Sequence, residues 1–158
     1  MICYSLQPLM AAATLEGFRL PYRPLPDLCR RDGWAGVDGA QGAYRWMTEQ
    51  LSAHHPRPTL DALPVWVWVE RPPAYWEEDA TGSYLTLDLD PQRLLISNYD
   101  MWDALLGESV LTGRDVPDVA WSACLRPGQA GQRRQGVLWE LRPEDVVSCR
   151  VVTPGGAD

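Results

Sequence analysis

Val65-Trp66-Val67-Trp68-Val69-Glu70 decides the fold. Three β-branched residues alternate with two tryptophans, so a strand built from them carries an apolar row on each face. A strand apolar on both faces is most simply an interior one, covered from both sides. Pro64 ahead of it and Arg71-Pro72-Pro73 behind it mark its limits, because proline has no N–H for a ladder. We therefore expect residues 65–69 at the centre of a sheet, with Trp66 and Trp68 both largely buried.

Working outward, residues 83–89 show the clearest alternation in the chain. Leu85, Leu87 and Leu89 face one way and Tyr84, Thr86, Asp88 and Asp90 the other, which predicts a half-buried strand with a polar outer face. Residues 2–6 and 93–96 read as short strands. Residues 136–141 and 146–152 read as two more, joined by the turn-like link Arg142-Pro143-Glu144-Asp145. Tyr44, Met47 and Leu51 fall at helical spacing with Trp46 beside them, so residues 41–52 form the best helix. Pro8 suits the first turn of another helix over residues 8–16, closed by Gly17. A third covers 101–106, capped through the Ser97-x-x-Asp100 spacing and stopped by Gly107. Residues 21–42, 72–82 and 112–132 are rich in turn formers. The pattern implies one compact α+β domain over residues 1–152, with a mixed or largely antiparallel sheet, a few helices packed on it, and a frayed tail at 153–158.

With 158 residues, 46% of them hydrophobic, the chain is long enough to bury a core. It holds 8 Trp against 1 Phe, and its basic residues are all Arg. A net charge of −7 without a basic block disfavours non-specific attraction to nucleic acid or to an anionic membrane, although a local Arg cluster could still hold phosphate. Cys3, Cys29, Cys124 and Cys149 lack zinc-knuckle spacing and Cys-x-x-Cys pairing, so we expect no disulfide among them. Residues 1–7 have neither a basic start nor an apolar core of a signal peptide, and no apolar run reaches membrane-spanning length. These features predict a cytoplasmic protein with reduced thiols.

The candidate site residues are few. Trp66 and Trp68 share one strand face and could floor a pocket for a flat ligand, or could fill the core against the helix bearing Trp46. Asp88 and Asp90 share a face but lack a third ligand, and His54-His55 before Pro56 belongs to a helix end, so no metal site is expected. Glu140 stands inside an apolar run, flanked by Trp139 and Leu141. A carboxylate there looks to water, lines a pocket, or pairs with an arginine such as Arg142.

Several segments in order resemble one uncharacterised bacterial family, domain of unknown function 3841. They are Tyr4-Ser5-Leu6-Gln7, Ala43-Tyr44-Arg45-Trp46-Met47, Pro64-Val65-Trp66-Val67-Trp68, Leu94 through Trp102, and Gln135 through Leu141 ahead of Glu144-Asp145-Val146. Arg45 stands where the family pattern suggests an acid, Asn98 where it suggests Asp, and His54-His55 where it suggests basic residues. A looser likeness in layout is to ADP-ribosyltransferase-like folds. That likeness implies NAD as cofactor, Glu140 as the catalytic carboxylate orienting ribose, and Gln7, Trp66, Trp68, Tyr99 and Gln135 around the cofactor. Gln135 and Glu140 are five apart and so on opposite faces of a regular strand, unless Gly136 allows a bulge.

Two readings follow. One is an NAD-using enzyme with Glu140 at its centre. The other is a non-catalytic binding module whose tryptophan-rich groove holds a peptide, a nucleotide or a partner protein. Gln7, Glu140 and an arginine around one pocket would favour the first; tryptophans spread along an open groove would favour the second.

Overall fold

The computed structural model describes residues 1–9, 21–24, 40–72, 81–114, 116–126 and 132–153. Six strands, β1 (Ile2–Gln7), β2 (Val65–Trp68), β3 (Gly82–Asp88), β4 (Leu95–Asn98), β5 (Arg134–Leu138) and β6 (Val146–Val152), form one sheet in the order β4-β5-β2-β1-β3-β6. Every pairing is antiparallel. Among the described residues three helices accompany it: α1 (Ala40–His54), α2 (Tyr99–Thr112) and the single turn α3 (Asp118–Trp121). The protein is an α+β domain with an antiparallel sheet, as its alternating segments imply. The helix expected over residues 8–16 lies almost wholly outside the described residues, as do most of the loop at 21–42, Tyr75 and Trp76.

β2 is interior, held by β5 on one side and β1 on the other. Its period of two sorts the core into two halves. Val65 and Val67 point to one face, where they join Cys3, Leu85, Leu87, Leu94 and Leu138. Trp66 points to the other, where Val137 and Leu95 meet α1 and α2. On that second face the rings form a connected cluster. Trp66 lies 5.0 Å from Trp102, Trp102 4.9 Å from Trp121, and Tyr44 packs edge-on against Trp66 at 5.6 Å. Each such pair contributes about 0.5–1.5 kcal/mol beyond the area it buries. The cluster is why α1 seats Trp46, Met47 and Leu51 inward. The indole N–H groups that this burial removes from water find carbonyls: Trp121 donates to Val116 O and Trp139 to His55 O, both at 3.0 Å. Trp66 and Trp68 are half-buried, less covered than the strand pattern alone implies.

Several boundaries differ from the sequence expectation for identifiable reasons. β4 runs on through Asn98, so the cap of α2 is Asn98 and not Ser97: its Oδ1 accepts from Met101 N–H at 3.0 Å. Gly107 does not stop α2. The helix passes through it and ends where Gly113 takes the left-handed conformation at φ 63°. β5 begins at Arg134 and ends at Leu138, earlier than expected, because Leu141 leaves the ladder to exchange backbone hydrogen bonds with Tyr22 at 2.7 and 3.0 Å. Tyr84, expected on a polar outer face, is buried, with the Arg150 guanidinium 4.5 Å from its ring centre. The link at 142–145 is a 3-10 turn, and the two strands it joins do not pair: β6 crosses to the opposite edge beside β3. No bulge occurs at Gly136, since β5 keeps register with both neighbours through it. A Cβ there would sit 3.2 Å from both Leu94 and Val67 side chains, so glycine lets β5 fit between β4 and β2.

Candidate functional site

β2 and β4 both end where β5 begins, because each runs antiparallel to it. Trp68 and Ser97 are both register partners of Gln135, and Asn98 is the partner of Arg134. α2 starts at the next residue, Tyr99, whose N–H donates to Arg133 O at 2.9 Å. Three strand ends and a helix start therefore meet, and the side chains they bring enclose a cleft.

The cleft is shallow and partly open to solvent, and is lined by Trp68, Tyr99, Glu70, Pro72 and the three arginines Arg71, Arg133 and Arg134. Two of the arginines are fixed in the same way. Asp100 accepts from both the backbone N–H of Arg133 (3.0 Å) and its Nε (2.7 Å). Glu70 accepts from the backbone N–H of Arg134 (2.8 Å) and its Nε (2.7 Å). The Arg133 guanidinium also lies 4.7 Å from the centre of the Tyr99 ring, within cation–π range. Burial works to raise the Asp100 pKa, but the hydrogen bonds from Arg133 outweigh it and hold the carboxyl below its usual range. Arg71 has no ion-pair partner among the described residues. Three arginines against Glu70 and Asp100 leave one positive charge in excess, on a chain whose net charge is −7.

The sequence-predicted site residues separate into two groups. Trp68 and Tyr99 line the cleft, and Gln135 lies next to Trp68 across the β2–β5 ladder. Trp66 shares the Trp68 face but is packed against Tyr44 and Trp102. Glu140 is at the other end of β5, beyond the strand. Its Oε2 accepts from Arg23 Nε at 2.9 Å and its Oε1 from Arg142 Nε at 3.0 Å, and its backbone carbonyl accepts from Arg93. Its burial works to raise the pKa, yet the two guanidiniums prevail and keep the carboxyl below the ordinary carboxylate range. Gln7 donates from Nε2 to Ser5 Oγ, which in turn donates to the Trp66 carbonyl. No described contact joins Gln7 to Glu140. Among the acids weighed from sequence, Asp90 caps the 3-10 turn at Pro91–Arg93 by accepting from Gln92 N–H. The described residues bring together no group of three or more His, Cys, Asp and Glu side chains that could hold a metal ion.

Arg71, Arg133 and Arg134 were not singled out from sequence. The one signal was the adjacent pair Arg133-Arg134 in an arginine-only chain; that Arg71 joins them depends on β2 lying beside β5.

A family model described as Domain of unknown function (DUF3841) matches residues 36–118. The chain belongs to this family. The matched span carries α1, β2, β3, β4 and α2, and with them Trp68, Glu70, Arg71, Tyr99 and Asp100 of the cleft. The residues supplied by β5 fall outside it. No curated protein and no solved structure matches the chain. No described helix is long and apolar enough to cross a membrane.

Proposed function

We propose that the protein is a ligand-binding module of the bacterial cytoplasm, and that the cleft between Trp68 and Tyr99 takes a flat ring carrying an anionic group, such as one half of a nucleotide cofactor. The supporting observation is the meeting of aromatic walls with an arginine free of described ion pairs, Arg71, beside two arginines already positioned by carboxylates. Aromatic faces favour a planar ring, and a guanidinium favours phosphate or carboxylate through paired N–H donors. Fixing Arg133 and Arg134 in advance reduces the ordering that binding would otherwise require.

Isothermal titration with mononucleotides, at low and moderate salt, tests this. Binding should weaken as salt rises, and Arg71→Ala should reduce affinity about tenfold, the loss expected for one charge-assisted contact of roughly 1.5 kcal/mol. Absence of binding by wild type at millimolar ligand would end the reading. A catalytic role for Glu140 in NAD chemistry is a separate proposal. Consumption of NAD by the wild-type protein is its test.

A further inference from the structure

β6 is the outermost strand on its side of the sheet, and no described strand lies beyond it. It is also the most open of the six strands, with Val147 61% and Val151 63% exposed. The direction of its backbone groups follows from the ladder. Met1 and Leu89 exchange backbone hydrogen bonds, so Leu87, Leu85 and Ser83 likewise bond toward β1. The residues between them, Thr86, Tyr84 and Gly82, bond toward their β6 partners Ser148, Arg150 and Val152. Cys149 and Val151 therefore turn their N–H and C=O groups to the outer edge. Val147 is the extra residue where the β3–β6 register shifts, and it has no register partner in β3. Proteins guard such an edge with proline, a projecting charge or a bulge. β6 has no proline, and its one charged side chain, Arg150, is drawn back over the Tyr84 ring at 4.5 Å. Its bulge falls near one end and leaves Ser148 to Val152 in regular register.

We propose that the outer edge of β6 is a dimer interface, pairing antiparallel with β6 of a second copy about a two-fold axis at Cys149. The strand is self-complementary. Residues 146–152 read Val-Val-Ser-Cys-Arg-Val-Val, the same in both directions but for the exchange of Ser148 and Arg150. With Cys149 at the centre, the exposed Val147 meets the partner's Val151, Val146 meets the partner's Val152, and Arg150 meets the partner's Ser148. Moving the axis to Arg150 sets two like charges directly opposite, which is destabilising. Moving it to Ser148 puts Val151 opposite Asp145, outside the strand. An isologous pairing closes on itself, so each edge is used once and growth stops at two copies. None of the cleft residues lies on β6, so the interface is separate from that site.

Sedimentation equilibrium from about 1 to about 200 µM tests this, since a single strand pair is a small interface and should dissociate on dilution. Wild type should pass from monomer to dimer across that range. Val151→Lys, at a position exposed in the single chain, should keep the wild-type circular dichroism and weaken the dimer about tenfold or more. Val147→Lys should do the same, and serves if the first variant does not fold. In a Cys29→Ser background a short bis-maleimide should join Cys149 to the partner's Cys149, because the register sets their Cβ atoms about 5 Å apart. Adding Cys149→Ser should remove that link. Monomeric wild type throughout the range overturns the proposal and leaves the edge to a strand of a different protein. A dimer that both lysine variants leave intact overturns it too, since the contact then lies on another face. So does a dimer that the bis-maleimide does not join at Cys149.

Discussion

Replacing Glu140 by Gln separates a structural carboxylate from a catalytic one. Glu140 joins Arg23, on the segment that pairs with Leu141, to Arg142, at the start of the turn leading into β6. The glutamate side chain is 17% exposed, but its partners are 49% and 45% exposed, so solvent screens each pair strongly. Exposed ion pairs contribute about 0.2–1 kcal/mol each, and the two together roughly 1 kcal/mol. In a chain of this length that lowers the melting temperature by about 2–4 °C. The pH dependence has a definite sign. The folded-state pKa of Glu140 is depressed, so its contribution is fully present above the unfolded carboxylate pKa and is lost as pH falls through the lower folded value. Glu140→Gln and wild type should differ at pH 7 and converge in acid. Asp145→Asn supplies a contrast, because its pair with Arg93 is enclosed, with Asp145 only 6% exposed. Breaking a buried pair costs about 3–5 kcal/mol. Thermal melts of the three proteins across pH, with NAD turnover followed in parallel, decide the matter. Equal melting of Glu140→Gln and wild type at pH 7, with loss of NAD turnover, would refute the structural account and make Glu140 catalytic.

Three further outcomes are expected. Val67→Asp places a charge at a 2%-exposed position of the interior strand, which should consume most of the roughly 5–15 kcal/mol that stabilises a typical domain; soluble protein with native circular dichroism would contradict the core. Asn98→Ala should lose about 1 kcal/mol of cap energy in urea denaturation, whereas Asn98→Asp, which keeps the acceptor for Met101 N–H, should stay within ~0.5 kcal/mol of wild type; equal losses would mean the amide donated to Gln132 matters more than the cap. In a Cys29→Ser background, the half-buried Cys149 should react first with a thiol reagent at neutral pH, and Cys124, buried with its pKa pushed up to about 11, should react last; fast labelling of Cys124 in the folded protein would show that its surroundings open.

How much of this was legible in the linear order of residues depends on the range over which each interaction acts. Alternation along residues 65–69 and 83–89 and the helical spacing of Tyr44, Met47 and Leu51 are local regularities. They identified an interior strand, a strand with a leucine face and the main helix, and with them the α+β class. Segment ends were less legible, because they depend on partners distant in sequence. Tyr22 takes Leu141 out of the ladder, and the continuation of β4 moves the helix cap from Ser97 to Asn98. Burial of Tyr84 was hidden for the same reason: Arg150, from a strand 66 positions on, lies over its ring. The cleft was legible only in parts. Trp68 and Tyr99 could be named by residue type, but their meeting, and the recruitment of Arg71, Arg133 and Arg134, follow from the strand order β4-β5-β2. Strand order is a property of non-local pairing, and local periodicity does not specify it. Glu140 illustrates the converse. Its apolar neighbours made it conspicuous in sequence, and tertiary contacts with Arg23 and Arg142 account for its place.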